Sequence, residues 1–227
     1  MNLAAAGYRK RFCALTEFYD LVLLYNVMTK PNTESGFDLY MVRSLFDVET
    51  CVELVNELRR CAQSPATVYG GSDSGCVDER VRKATRLAPS PETVERVRLR
   101  LLEYRGEVGE HFGTRLSDCE EPQFLRYRVG DFFVAHQDGN TGMLRSEREQ
   151  SRKVSLVIFL NRQSEAPETD AYCGGSLVFS DWRASPSRKD FRLPVEVGTM
   201  VTFRSETTHE VIPVTHGERY SIVSWYV

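Results

Sequence analysis

The sequence predicts an α+β fold in which N-terminal helices brace a jelly roll, that is, a double-stranded β-helix. Two amphipathic helical patterns come first, within residues 37–121. From residue 122 onward the pattern changes to many short β-strands, which glycines, prolines and charged loops separate. Helices followed by a β-rich half are typical of an α+β domain in which helices cover one face of an antiparallel sheet.

The composition is that of an ordinary globular domain. The chain has 227 residues, of which 41% are hydrophobic and 27% are charged, so it can bury a sizeable core in one main domain. A net charge of -3 gives no reason to expect a nucleic-acid surface. No apolar run approaches the roughly 20 residues that span a bilayer. We therefore expect neither a nucleic acid nor a membrane as a partner.

The six cysteines indicate the cellular compartment. None forms a Cys-x-x-Cys pair, which disfavours a zinc ribbon or a redox dithiol. No secretory signal is evident, because the longest aliphatic run near the start is only Leu21 to Leu24. We expect reduced thiols and an intracellular, cytoplasmic protein.

Residues 1–36 are predicted to be an N-terminal extension, and residues 37–227 the main domain. Within the extension, residues 12–28 carry apolar side chains at roughly helical spacing, but a poorly ordered segment is an equal alternative. A linker is indicated at residues 30–36 by its Pro, Asn, Ser and Gly content.

Residues 37–121 are predicted to supply the helical support. A strand is expected at residues 38–46. Asp47 is a candidate N-cap for a helix that reaches about Cys61. A long loop at 63–78 and a short strand at 81–87 follow. Ser90-Pro91-Glu92 then indicates the start of a second helix, which continues to about His111.

Residues 122–227 are predicted to form the jelly-roll core. Gly130-Asp131 indicates a turn between the first two strands. Strands are expected at residues 123–128, 132–137, 153–160, 175–179, 191–194, 199–203, 209–213 and 220–227.

The second of these strands ends in His136-Gln-Asp138. Residues i and i+2 of a strand point to the same face, so one imidazole and one carboxylate can reach a single point. A second histidine would complete a two-histidine, one-carboxylate site, the geometry of non-haem Fe(II) oxygenases. Among the remaining histidines, His209 opens an apolar strand and is the candidate, whereas His111 ends a helix and His216 lies in a predicted turn.

Arg219 begins the last, strongly apolar strand. A buried guanidinium needs a partner and binds carboxylates in a bidentate manner. From the residues alone, a structural ion pair with a nearby glutamate is favoured over a ligand contact.

Taken together, these segments resemble the Fe(II)- and 2-oxoglutarate-dependent dioxygenases, particularly the prolyl 4-hydroxylase-like branch. The resemblance covers residues 37–227 and is densest after residue 122. The segments that carry it are Leu125-Arg126-Tyr127 through Gly130 to His136-x-Asp138, Arg152-Lys-Val-Ser-Leu-Val-Ile-Phe-Leu-Asn161, Gly174-Gly175-Ser-Leu-Val-Phe179, and His209-Glu-Val-x-Pro213-Val214-x-x-Gly217-x-Arg219.

The resemblance implies a role for five residues and a set of cofactors. His136, Asp138 and His209 would bind Fe(II). Arg219 would hold the distal carboxylate of 2-oxoglutarate, and Tyr127 would hydrogen-bond this cosubstrate. The chemistry needs no catalytic residue beyond the metal site, and ascorbate is implied as a further cofactor.

The reaction implied is hydroxylation of a C–H bond, coupled to decarboxylation of 2-oxoglutarate to succinate. A prolyl residue of a protein or peptide is the expected substrate, although collagen-type members commonly have lysine where this chain has Arg219, which disfavours a collagen-type substrate. Two alternatives remain open: a hydroxylase of a free amino acid or other small molecule, and a jelly-roll protein that binds metal without turnover. The loops at 63–78, 139–152 and 162–174 are candidate substrate loops or lids, and we favour 139–152.

Overall fold

The fold was analysed in a computed structural model, which describes residues 36–68, 75–139, 147–181 and 189–227. The possible helix at residues 12–28 lies outside this range. Within the described residues the elements, in chain order, are β1 (Leu39–Val42), α1 (Val48–Leu58), β2 (Ala62–Pro65), β3 (Arg82–Lys83), β4 (Thr85–Ala88), α2 (Pro91–His111), β5 (Gln123–Tyr127), β6 (Phe132–His136), α3 (Glu147–Ser151), β7 (Val154–Phe159), β8 (Arg162–Gln163), β9 (Ala171–Gly174), β10 (Leu177–Asp181), β11 (Lys189–Arg192), β12 (Met200–Arg204), β13 (His209–Val211), β14 (Val214–His216) and β15 (Arg219–Tyr226).

The strands form a larger and a smaller sheet that face each other, plus a short three-stranded sheet. The order in the larger sheet is β1-β12-β7-β15-β5-β4-β2, and in the smaller sheet β11-β10-β13-β6-β3. Strands that are distant in sequence pair in antiparallel fashion, as β12 with β1 and β13 with β6. The predicted jelly roll with bracing helices is thereby confirmed.

The two predicted helices begin where their capping residues indicate. Asp47 accepts a hydrogen bond from the Thr50 amide at 2.7 Å, and Ser90 accepts one from the Thr93 amide at 3.3 Å. Glu57 of α1 accepts from the Ser90 amide and the Thr93 hydroxyl. The end of one helix is therefore tied to the start of the next.

The larger sheet is buried on both faces. Alternate residues of one strand belong to different cores, so that Phe124 and Ile158 pack with the helices, whereas Leu125 and Val157 pack between the two sheets. This arrangement explains why β7 is buried at every position and has no polar face. The helices thus fix the back of the sheet whose front lines the site.

Several predicted boundaries were wrong. The expected strand at 81–87 is two strands, because β3 joins the smaller sheet and β4 the larger one. The expected loop at 63–78 contains β2, and the expected loop at 162–174 contains β8 and β9, which pair in parallel. His216 ends the short strand β14. These strands are too short to give a periodic pattern, and only their partners define them.

In the described residues, neither long helix is apolar over a length sufficient to cross a bilayer. The described cysteines, Cys51, Cys61, Cys76, Cys119 and Cys173, are all free thiols.

Gly198 provides a test of how α1 is attached to the sheet. It has a φ of +76°, and a Cβ added there would lie 1.9 Å from the Phe46 carbonyl oxygen. Gly198→Ala should lower the free energy of unfolding by about 2 kcal/mol or more, since the backbone conformation and the contact both oppose a side chain. Gly106→Ala is the control: it is exposed in α2 with open space around it, and it should raise stability by up to about 1 kcal/mol. Chemical denaturation measures the free energy of unfolding of both variants. Equal values would contradict the close contact between Gly198 and Phe46.

Candidate metal centre

His136 and His209 lie directly opposite each other on neighbouring strands of the smaller sheet. They are a register pair of β6 and β13, and their ring centres are 4.2 Å apart. Two histidines separated by more than seventy positions in the sequence are therefore side by side in the fold.

A β-bulge in β6 sets the direction of the His136 side chain. His209 pairs with His136 and Val211 pairs with Phe133, so three steps along β6 match two steps along β13. The extra residue allows Phe133 and His136 to share a face of the sheet. Their rings stack with centres 3.6 Å apart and planes 20° apart.

Asp138 lies beyond the end of β6, which stops at His136 rather than at the predicted residue 137. Its amide and that of Gly139 both donate to the Ser205 carbonyl, at 2.9 and 3.1 Å. These two bonds hold the segment after β6 beside the end of β12, which stops at Arg204. The carboxylate consequently faces the same point as the two imidazoles.

The three side chains converge. Oδ1 of Asp138 is 3.5 Å from Nε2 of His136, and Oδ2 is 3.5 Å from Nε2 of His209. One imidazole nitrogen from each histidine and one Asp138 carboxylate oxygen all lie within 4.8 Å of one another. Such a separation suits three ligands arranged around one ion.

Each imidazole is oriented by its other nitrogen. Nδ1 of His136 is 2.8 Å from the Val134 carbonyl, and Nδ1 of His209 is 2.9 Å from the Thr207 carbonyl. Because a carbonyl oxygen only accepts, each Nδ1 carries the proton in this arrangement, and the Nε2 lone pair is directed at the cluster.

The electrostatics of the cluster suit a cation. Burial lowers the pKa of His209 to about 4, and the nearby His136 acts in the same direction. Burial would raise the pKa of Asp138, but the neighbouring His209 and His136 hold it well below its usual range. A buried carboxylate thus lies beside a neutral imidazole at neutral pH. Two nitrogens and one carboxylate oxygen are a donor set that fits Fe(II).

Arg219 is the largest fully buried side chain near the cluster. Its Nη1 donates to the Ser221 hydroxyl at 2.9 Å, and its guanidinium carbon lies 5.1 Å from the Tyr127 ring centre. Among the described residues, its Nε has no hydrogen-bond partner, and no carboxylate lies within 4.0 Å of the guanidinium. The neighbouring Glu218 instead approaches Arg126 and Arg128. The structural ion pair that Arg219 by itself suggested is therefore absent from the described part of the chain.

Gly175 makes space for Arg219. A Cβ at Gly175 would lie 3.1 Å from Cδ of Arg219 and 2.8 Å from a methyl group of Val214, and its φ of +59° also favours glycine. The Gly174-Gly175 pair thereby lets β9 and β10 pass close to the arginine.

All five residues singled out in the sequence line one cavity of about 170 Å³. This volume is well above the roughly 10–15 Å³ that holds one water molecule. The histidines come from the smaller sheet, whereas Arg219 and Tyr127 are a register pair of β15 and β5 in the larger sheet. The metal-ligand and cosubstrate roles of these residues stay predictions.

Arg152 also lines the cavity, although its position in the sequence was not interpreted as a site. Its Nε and Nη2 bind the two carboxylate oxygens of Glu120 at 2.6 and 3.1 Å, and its Nη1 is 3.3 Å from the Asp138 carbonyl. The guanidinium carbon lies 3.6 Å from the centre of the Trp225 ring. A usable signal was present, since an arginine two residues before the largely apolar run that forms β7 needs a partner if it is buried.

The other two histidines lie away from the cavity, as expected from the sequence. His111 Nε2 is 3.0 Å from Asp38 Oδ1, and His216 pairs with Cys173 between β14 and β9.

Residues 122–227 match the family model described as the 2OG-Fe(II) oxygenase superfamily. A PKHD-type hydroxylase of Shewanella oneidensis is 35% identical over 109 residues, which are 46% of this chain and 41% of that protein. A PKHD-type hydroxylase of Shewanella sp. strain MR-7 is 28% identical over 182 residues, which are 76% of this chain and 72% of that protein. The chain thus spans less than half the length of the first relative.

Solved structures show the same fold at lower identity. A Pseudomonas putida prolyl-4-hydroxylase aligns with a TM-score of 0.61 and 22% identity, over 84% of this chain and 92% of that one. A prolyl hydroxylase from Trichoplax adhaerens, in complex with a hypoxia inducible factor oxygen degradation domain peptide fragment, aligns with a TM-score of 0.66 and 15% identity, over 95% and 93%.

Glu120 provides a test of the Arg152 contacts. Glu120→Gln removes the anion that faces a buried guanidinium, and it should lower the free energy of unfolding by roughly 3 kcal/mol. The matched control is Glu121→Gln, since the Glu121 side chain is 66% exposed and 3.7 Å from Arg86. The control should change stability by less than about 0.5 kcal/mol. Urea denaturation measures both, and similar losses in the two variants would contradict the assigned role of Glu120.

Proposed function

Residues 122–227 belong to the 2OG-Fe(II) oxygenase superfamily, and on this premise we propose that the chain is an Fe(II)- and 2-oxoglutarate-dependent hydroxylase of a prolyl residue in a protein or peptide. The observation that carries the proposal is one cavity that contains both the His–Asp–His cluster and the guanidinium of Arg219. A protein that only held a metal would need the cluster but not the arginine.

His136, Asp138 and His209 would hold Fe(II). When bound, the ion with 2-oxoglutarate would supply the oxidising chemistry that couples decarboxylation to C–H hydroxylation. The protein's own contribution is geometric and electrostatic. The carbonyls of Val134 and Thr207 hold the two imidazoles in place, and the Asp138 carboxylate contributes the negative charge.

Arg219 and Tyr127 would bind 2-oxoglutarate. The guanidinium offers a forked set of donors to the distal carboxylate, and the Ser221 hydroxyl keeps it in position. The aromatic rings of Tyr127 and Phe159, both buried, exclude water around this contact. A charge-assisted hydrogen bond in such surroundings is stronger than it would be at the surface.

The prolyl substrate is supported by the kinds of protein that this chain is similar to. Its curated relatives are named PKHD-type hydroxylases, and its structural neighbours include prolyl hydroxylases, one of which holds a peptide. Residues 37–227 would act as one catalytic domain, because helices and sheet share a core. The free thiols support the proposed intracellular location.

One assay tests the function as a whole. Purified protein is supplied with Fe(II), 2-oxoglutarate and ascorbate, together with proline-containing peptides or free amino acids. We expect succinate release that depends on the peptide, with a gain of one oxygen atom in its mass. If only a free amino acid gained oxygen, the substrate would be a small molecule and not a peptide.

Removal of a proposed ligand tests the metal site. His136→Ala and Asp138→Asn should each weaken Mn(II) binding by more than about 100-fold, since loss of an outer-shell partner alone typically costs 10–100-fold. They should also abolish succinate formation while the circular dichroism spectrum is retained. His216→Ala, outside the cavity, is the control and should bind Mn(II) normally. Calorimetric titration provides the measurement, and unchanged binding in the ligand variants would refute the assignment.

Replacement of Arg219 tests the cosubstrate site. Arg219→Ala should raise the KM for 2-oxoglutarate by about 10- to 100-fold, because a hydrogen-bonded charge pair is lost. Mn(II) binding should persist, which separates this effect from unfolding. Arg128→Ala is the control, as its side chain is 57% exposed. An unchanged KM in Arg219→Ala would mean that the arginine is structural.

A further inference from the structure

The buried arginines of the described residues fall into two groups. Arg126 lies 3.7 Å from Glu218, and both oxygens of Glu120 bind Arg152. Arg82 and Arg219 are buried as well, but within the described ranges neither has a carboxylate within 4.0 Å. An uncompensated buried charge is costly. These two guanidinium groups are therefore the places where an anion from outside the chain would be most stabilising.

Arg82 and Arg219 share one arrangement. In each, Nη1 donates to a neutral oxygen, which is the Thr67 carbonyl at 3.1 Å for Arg82 and the Ser221 hydroxyl at 2.9 Å for Arg219. In each, Nε has no partner among the described residues. Both side chains line the same cavity. Arg82 therefore has the features that make Arg219 a carboxylate-binding candidate.

The position of Arg82 brings it close to the metal cluster. Its guanidinium carbon lies 4.7 Å from the centre of the Phe133 ring, and this ring stacks on His136 at 3.6 Å. Arg82 is on β3, which pairs with β6 in the smaller sheet, whereas Arg219 is on the larger sheet. The two arginines thus approach the cavity from opposite sheets.

We propose that Arg82 forms a second carboxylate subsite, which takes a carboxylate of the hydroxylation substrate. This inference rests on the proposed function, in which 2-oxoglutarate engages Arg219. With 2-oxoglutarate at Arg219, Arg82 would be the arginine of the cavity for which the described residues supply no carboxylate, and the substrate is the other molecule that must enter. The carboxylate has two possible sources: an acidic side chain next to the target prolyl residue, or the α-carboxylate of a free amino acid.

Binding without turnover tests the subsite directly. The protein is loaded with Mn(II) and 2-oxoglutarate under nitrogen and titrated with two matched pairs of probes. One pair is a terminally blocked peptide with Glu beside proline and the same peptide with Gln. The other pair is L-proline and L-prolinamide. We expect the carboxylate member of one pair to bind about tenfold or more tightly than its neutral partner, and the pair that discriminates identifies the source.

Two variants assign this preference to Arg82. Arg82→Gln should reduce the preference to about one, whereas Arg82→Lys, which keeps the charge, should retain part of it. The control is Lys83→Gln, because Lys83 is the next residue of β3, its side chain is 48% exposed and it lies 3.7 Å from Asp131. This control should keep the full preference. Equal binding within both pairs of probes, or a preference that survives in Arg82→Gln, would overturn the proposal.

Oxygen incorporation separates this proposal from the proposed function. If the Glu preference depends on Arg82 but no probe gains oxygen, the subsite stands and prolyl hydroxylation is refuted. If Glu and Gln peptides are hydroxylated with equal kcat/KM, and L-proline binds no more tightly than L-prolinamide, the hydroxylase activity stands and the subsite is refuted.

Discussion

The need to compensate buried charge organises the interior of this protein. Asp138 is held as a carboxylate by two imidazoles, and Glu120 is held by arginines. His209 and the two arginines come from distant parts of the chain, so these contacts also fix the tertiary arrangement. Arg82 and Arg219 are the buried cations for which the described residues supply no carboxylate, and both line the cavity. Within the described residues, the structural charges are thus paired, while cationic charge remains in the cavity, where ligands can bind it.

Each of the two sheets carries different residues of the site. The smaller sheet carries the histidines, and a bulge in β6 turns His136 toward His209. The larger sheet carries Arg219 and Tyr127 on the face opposite the helices. The helices α1 and α2 pack on the back of the larger sheet, and the buried arginine lies on its front. The separation between the two histidines and Arg219 is therefore set by how the two sheets pack.

Glu120 lies outside the cavity but is linked, through Arg152, to other residues that line it. Its side chain binds Arg152, which contacts both the Asp138 carbonyl and the Trp225 ring. Its backbone carbonyl accepts from the Ser224 hydroxyl. The start of β5 and the end of β15 are thereby joined to the segment that carries the cluster's carboxylate.

The sequence by itself determined the α+β class, the start of both helices and five residues that line the cavity. It could do so because capping, helical periodicity and strand alternation are local, and because His136, Asp138, His209 and Arg219 stand in ordered motifs. Only the tertiary structure decided which strands pair, that a bulge orients His136, and that Asp138 lies past the end of its strand. It also decided that Glu120 neutralises Arg152 while Arg82 and Arg219 meet no described carboxylate. Pairing, bulges and charge compensation depend on residues far apart in the chain, and no local pattern records those contacts.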